Sequence, residues 1–131
     1  MTRPRVLLVE DHPLVQEAIR NLVSFHCEVV GLLNAAEDLP QFLDKLKPDV
    51  LVLDVSLPGK SGLQVLPDVR TRFRSLCVVI ASEHEEPAYI RAAFERGADA
   101  YVVKSQLYDE LLPSIQEALS KRARVRLVSS S

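Results

Sequence analysis

Four short apolar segments, each followed directly by a polar residue, constrain the fold of this chain more than any other feature. The segments, in order, are residues 5–9, 50–53, 78–81 and 100–103, and they are followed by Glu10-Asp11, Asp54, Ser82 and Lys104. Short apolar runs bounded by turn signals are typical of buried strands, and strands that are apolar throughout indicate a parallel sheet covered on both faces. All of these polar residues would then lie at the carboxyl edge of one sheet, where open α/β sheets bind ligands.

The segments between these strands have the apolar spacing of helices, and residues 28–33 add a fifth strand. Polar caps or prolines mark the helix starts, with Asp38 and Ser61 as candidate caps. Five alternating strands and helices predict a single flavodoxin-like α/β domain. Its doubly wound, five-stranded parallel sheet would have the order 2-1-3-4-5 and form the middle of three layers.

Two prolines fall inside helical patterns and complicate the helix boundaries. Proline in a helix interior removes a hydrogen bond and bends or breaks the helix. Pro67 therefore indicates either a kink or a loose first turn, and the sequence leaves both open. Pro113 places the start of the last helix near Asp109.

Composition excludes several classes of protein. The 131 residues suit one domain, and a formal charge of -2 provides no global field for nucleic acid or a membrane surface. Cys27 and Cys77 lack the spacing of a disulfide framework or a zinc site, so we expect buried, reduced thiols. We find neither a secretory segment before the first strand nor an apolar run of the ~20 residues that span a bilayer. The prediction is a cytoplasmic protein without membrane contact.

The end of the chain differs in character from the rest. We expect residues 1–122 to form the domain and residues 123–131 to form a basic, serine-rich tail or the start of a linker. Four basic residues cluster there: Lys121, Arg122, Arg124 and Arg126. The simpler interpretation is a solvated helix end, where cations suit the helix dipole; the alternative is the start of a linker toward a further domain.

Three carboxylates are candidates for a metal site. Glu10, Asp11 and Asp54 converge if the first and third strands are neighbours. Packed carboxylates repel one another unless a cation lies between them, and hard oxygen ligands favour Mg²⁺. Alternatively, Glu10 and Asp11 only cap a helix and Asp54 only begins a turn.

Asp54 is the candidate nucleophile, because it follows a buried strand and would be held rigidly at the sheet edge. A carboxylate that attacks phosphorus forms an acyl phosphate. Ser82 and Lys104 would supply a hydroxyl and an ammonium to the phosphate oxygens. Taken singly, each of these two residues is more simply explained as a solvated polar group at a strand end.

Several stretches together resemble the receiver domain of two-component response regulators, particularly the NarL/LuxR type, over essentially residues 4–120. They are residues 9–13 (VEDHP), residues 53–62 (LDVSLPGKSG), Ser82, residues 97–101 (GADAY) and Lys104. The resemblance implies that a histidine kinase phosphorylates Asp54 and that Ser82 and Lys104 bind the phosphate. It implies that Ser82 and Tyr101 then switch position. It also implies that Mg²⁺ is held by Glu10, Asp11, Asp54 and the backbone carbonyl of Ser56.

The resemblance further implies a phosphorylation-controlled switch rather than an enzyme. Receivers of this type usually control transcription through a C-terminal helix-turn-helix, so contact with DNA would require a domain outside these residues. Phosphorylation would favour a homodimer or release of an effector. The alternatives are a stand-alone receiver that acts by protein–protein interaction and a Mg²⁺-dependent phosphatase with an aspartyl-phosphate intermediate. Such phosphatases usually need a second acid at the position of Ser56. Ser105 and Glu83 depart from the usual receiver pattern, which has proline and a small residue there.

Overall fold

The computed structural model describes residues 3–57, 59 and 61–130, with side chains through residue 123. Its strands are β1 (Arg5–Val9), β2 (Glu28–Leu33), β3 (Val50–Leu53), β4 (Cys77–Ser82) and β5 (Ala100–Val103). Its helices are α1 (Pro13–Val23), α2 (Leu39–Leu46), α3 (Gly62–Arg72), α4 (Pro87–Glu95) and α5 (Leu107–Ser130). A single 3₁₀ turn, Lys104–Gln106, joins β5 to α5. Pro58 and Lys60, in the turn predicted around Gly59, and the side chains of Arg124 and Arg126 lie outside the described part.

The five strands form one parallel sheet in the order β2-β1-β3-β4-β5, which confirms the predicted fold class. Alternate residues of each strand face opposite layers. One face packs on α1 and α5, and the other packs on α2, α3 and α4. All of β3 and β4 is buried, as expected for strands covered on both faces. Cys27 and Cys77 are also buried, and burial raises the pKa of Cys77 to about 12.

Helix boundaries confirm some predictions and correct others. Ser61 caps α3 in a reciprocal capping box with Gln64. Asp38 stands at the N-cap of α2, but its side chain makes no capping bond. Pro67 lies inside a continuous α3. The prediction that the last helix begins near Asp109 is wrong, because α5 begins at Leu107 and contains Pro113 in its interior.

A buried carboxylate ties together three elements at the amino edge of the sheet. Asp99, just before β5, accepts hydrogen bonds from Arg70 Nη2 of α3 at 2.8 Å and from Arg122 Nε of α5 at 2.7 Å. It also accepts from the Val78 backbone N–H of β4 at 2.8 Å. Its side chain is 1% exposed. The carboxylate is therefore fully partnered, and it anchors α3 and α5 to the sheet at the edge opposite the predicted site.

No helix in the part of the chain that the structure describes combines the length and the apolarity needed to cross a bilayer.

The strand register explains the placement of the polar residues. Val9 pairs with Leu53, Leu53 pairs with Ile80, and Ile80 is opposite Tyr101. Glu10, Asp54 and Lys104 directly follow β1, β3 and β5, and Ser82 is the last residue of β4, paired with Val103. The four residues therefore lie at the same carboxyl edge.

Candidate functional site

Three carboxylates meet at the carboxyl edge of β1 and β3. Asp54 continues the ladder by donating its backbone N–H to the Val9 carbonyl at 3.0 Å, which puts it beside Glu10. Glu10, Asp11 and Asp54 each offer a carboxylate oxygen, and these atoms lie within 4.8 Å of one another. Glu10 and Asp54 are buried, whereas Asp11 is exposed. The cluster therefore opens to solvent on the Asp11 side.

Lys104 is the cation of this cluster. Its Nζ lies 2.7 Å from Glu10 Oε1 and 3.1 Å from Asp54 Oδ2. Burial raises the pKa of Glu10, while Lys104 counteracts this effect. Burial would lower the pKa of Lys104, but the contact with Glu10 and the charge of Asp54 outweigh it and raise the pKa. Lys104 therefore stays protonated and balances part of the negative charge.

The Asp54 side chain is held from two sides. Oδ1 accepts a hydrogen bond from the Ser56 backbone N–H at 3.0 Å, and Oδ2 accepts from Lys104 Nζ at 3.1 Å. Gly62, the first residue of α3, lies against the Asp54 carbonyl so closely that a Cβ there would overlap with it. The α3 N-terminus thus packs directly on the backbone that carries the carboxylate.

We expect Gly62→Ala to displace the Asp54 backbone. The added methyl group meets a carbonyl, which cannot move aside as a flexible side chain can, so the free energy of unfolding should fall by about 1–3 kcal/mol. Urea denaturation measures that loss, and the ¹H–¹⁵N signals of Asp54 and Val55 should shift. Gly31→Ala is the control, because the added methyl group meets the side-chain ends of Leu7 and Leu46. Unshifted Asp54 signals in Gly62→Ala would contradict the assigned contact.

Ser82 and Tyr101 are joined through one residue, His84. Ser82 is fully buried, and its Oγ accepts a hydrogen bond from the His84 backbone N–H at 3.0 Å. The Tyr101 hydroxyl donates to the His84 carbonyl at 2.8 Å. Burial raises the pKa of Tyr101, so this hydroxyl remains a donor. The His84 ring stacks on Tyr89 of α4, with ring centroids 3.9 Å apart.

The structure thus places Glu10, Asp54 and Lys104 in direct contact, with Asp11 beside them. It adds His84, which the sequence marks only by its position two residues after Ser82. It also adds Gln16 of α1, whose side chain binds the Glu10 carbonyl. Helical periodicity shows where Gln16 sits on α1 but not which backbone group its amide reaches.

The donor set fits a divalent metal ion. Glu10 Oε1 is buried and lies 2.7 Å from the Lys104 ammonium. Three carboxylates around this one ammonium repel one another, and a divalent cation would offset that repulsion. Three clustered carboxylates, of which Asp11 is exposed to solvent, match the sites of Mg²⁺, which binds through a few carboxylates and keeps several waters.

Comparison with known proteins gives one consistent family. A family model described as the response regulator receiver domain matches residues 6–116. The nitrate/nitrite response regulator protein NarL of Escherichia coli K12 is 32% identical over 117 residues. The DNA-binding transcriptional activator EvgA of the same organism is 32% identical over 113 residues. Both matches cover 86% of this chain but 53% and 55% of the relatives, so the chain spans about half the length of these proteins.

Solved structures agree with this result. A two-component response regulator of the LuxR family from Aurantimonas sp. SI85-9A1 superposes with a TM-score of 0.86 at 32% identity. That match covers 92% of this chain and 88% of the other. The receiver domain of the putative response regulator NarL from Mycobacterium tuberculosis superposes with a TM-score of 0.76 at 28% identity, over 88% and 98% of the two chains.

Proposed function

The chain belongs to the response regulator receiver domain family, and from that membership we propose that a histidine kinase phosphorylates it on Asp54. The single observation that carries this proposal is the contact of Lys104 Nζ with both Glu10 and Asp54 at the carboxyl edge. A nucleophile, two further carboxylates and a cation are then within reach of one phosphoryl group.

In the proposed reaction, an Asp54 carboxylate oxygen attacks the phosphorus of a phosphohistidine. A P–O bond forms, the P–N bond breaks, and the electron pair leaves with the histidine nitrogen. Lys104 is held at 3.1 Å from the nucleophile, and it would donate charge-assisted hydrogen bonds to the phosphoryl oxygens. Mg²⁺, held by Glu10, Asp11, Asp54 and the Ser56 carbonyl, would offset the repulsion between the two anions.

Ser82 and Tyr101 form the switch in this proposal. The Ser82 hydroxyl accepts from His84 and can still donate its own proton to a phosphate oxygen. Because His84 is also the acceptor for Tyr101, a shift of Ser82 reaches Tyr101 through one backbone segment. The phosphoryl group then acts as a ligand that favours one of two packings.

The output is proposed to be control of transcription, through a C-terminal DNA-binding domain outside these residues. The relatives support this, since EvgA is named a DNA-binding transcriptional activator and is about twice the length matched here. Phosphorylation would promote a homodimer, and the protein would act in the cytoplasm. The alternative, a stand-alone receiver that acts by protein–protein contact, uses the same site.

The test is binding of beryllofluoride, which mimics a phosphoryl group. With Mg²⁺ and beryllofluoride, ¹H–¹⁵N signals near Asp54, Ser82 and Tyr101 should shift, because the adduct engages the carboxylate and then the switch. Signals at the amino edge, such as that of Val78, serve as the internal control. An unchanged spectrum at millimolar reagent would overturn the proposal.

A further inference from the structure

Gln16 of α1 makes two hydrogen bonds that the proposed chemistry does not use. Its Nε2 donates to the Glu10 carbonyl at 2.7 Å and to Asn34 Oδ1 at 3.0 Å. Asn34 directly follows β2. One amide group therefore connects α1, the residue after β1 and the residue after β2, all at the carboxyl edge of the sheet.

The Glu10 carbonyl belongs to the peptide unit that joins the two consecutive carboxylates of the cluster. The backbone N–H of Glu10 is held separately, because it donates to the Leu33 carbonyl at 2.9 Å. Because the peptide unit is planar and rigid, a hydrogen bond to its carbonyl restrains rotation of the whole unit about the bonds on either side. Gln16 thus restrains the direction in which the Asp11 Cα leaves Glu10.

The two carboxylates differ in how their side chains are fixed. Glu10 is buried, and its Oε2 accepts from the His12 N–H at 3.0 Å. Asp11 is exposed, so packing does little to orient it and its backbone must do so. Mg²⁺ demands near-ideal octahedral geometry at short distances, which makes its affinity sensitive to the placement of such a ligand.

We infer that Gln16 is a positioning residue for the divalent metal site, with Asn34 as its anchor. Its side-chain amide binds the Glu10 backbone carbonyl rather than a carboxylate oxygen of the cluster, so it acts through the Glu10–Asp11 peptide. This inference rests on the proposed function. Removing a residue that hydrogen-bonds to a metal ligand without touching the metal typically changes the metal affinity by 10–100-fold.

The experiment is a Mg²⁺ titration followed by the ¹H–¹⁵N signals of residues 10, 11 and 54. Gln16→Met keeps the length and helix propensity of the side chain but removes the donors, and it should raise the Kd for Mg²⁺ about tenfold. Asn34→Ala leaves the bond to Glu10 in place and should raise the Kd about threefold. Asn34→Ala also tests the inference if Gln16→Met does not fold. Asn21→Met, an exposed amide on the same helix, should keep the wild-type Kd.

Melting temperatures measured without Mg²⁺ separate positioning from general stability. A structural role alone lowers Tm and leaves the Kd of the folded protein at the wild-type value, which would overturn the inference. A Kd raised equally in Asn21→Met would also overturn it. If wild type forms the beryllofluoride adduct while Gln16→Met binds Mg²⁺ as wild type does, the inference fails and the proposed function stands. If wild type binds neither reagent, both fail.

Discussion

Asp54→Ala is expected to abolish phosphoryl incorporation from acetyl phosphate, a loss of at least ~100-fold, because no other group replaces the attacking oxygen. Asp54 contacts Lys104 through Oδ2 and is held through Oδ1 by the Ser56 backbone N–H. Phos-tag electrophoresis after treatment with acetyl phosphate and Mg²⁺ resolves the phosphorylated chain from the unmodified one. The matched control is Asp68→Ala, which removes an exposed carboxylate on α3.

The same assay separates a switch from a phosphatase. A switch takes up about one phosphoryl group per chain, whereas an enzyme with an aspartyl-phosphate intermediate keeps releasing phosphate. Ser56 stands where such an enzyme usually needs an acid, and its hydroxyl cannot serve as one near neutral pH. A shifted band in Asp54→Ala, or sustained release of phosphate by wild type, would refute the assignment of Asp54 as the acceptor of a switch.

Asp99→Ala is expected to lower the free energy of unfolding by about 3–5 kcal/mol, the typical cost of removing one partner from a buried ion pair. The substitution leaves the guanidinium groups of Arg70 and Arg122 without their shared carboxylate and leaves the Val78 N–H without its acceptor. Domains are stable by only about 5–15 kcal/mol. The variant should therefore be near the limit of folding at room temperature.

Urea denaturation measures this loss, and an exposed ion pair on the same protein supplies the control. Asp44 contacts Arg72 at 3.2 Å, but its side chain is 62% exposed, and exposed pairs contribute about 0–1 kcal/mol. Asp44→Ala should therefore shift the midpoint little. Equal midpoints for the two variants would show that the network around Asp99 does not stabilise the fold.

The fold could be predicted from the sequence because its strands are short, wholly apolar and separated by helical patterns. A strand buried on both faces tolerates few polar residues, so the apolar run alone marks β3. The residue that ends each run marks the carboxyl edge, which is why Asp54 and Lys104 could be identified without coordinates. Their roles in phosphoryl transfer belong to the proposed function.

Other features depend on tertiary contacts that no local pattern encodes. Pro113 sits in the interior of α5 because the packing of Leu107 and Leu111 against the sheet outweighs the helix-breaking tendency of proline. Asp99 lies in a motif that resembles a family signature, yet its two arginine partners come from positions 29 and 23 residues away in the chain.

The path of α5 has a mechanical consequence. The helix starts three residues after Lys104, and Arg122 ties it to Asp99 after sixteen residues, which is roughly 24 Å at 1.5 Å per residue. Between its start and Arg122, Leu111, Ile115 and Ala118 pack on the sheet, so this stretch is held along its length. A displacement that begins at Lys104 would therefore have to carry the whole helix, and any segment attached beyond Arg122 would move with it.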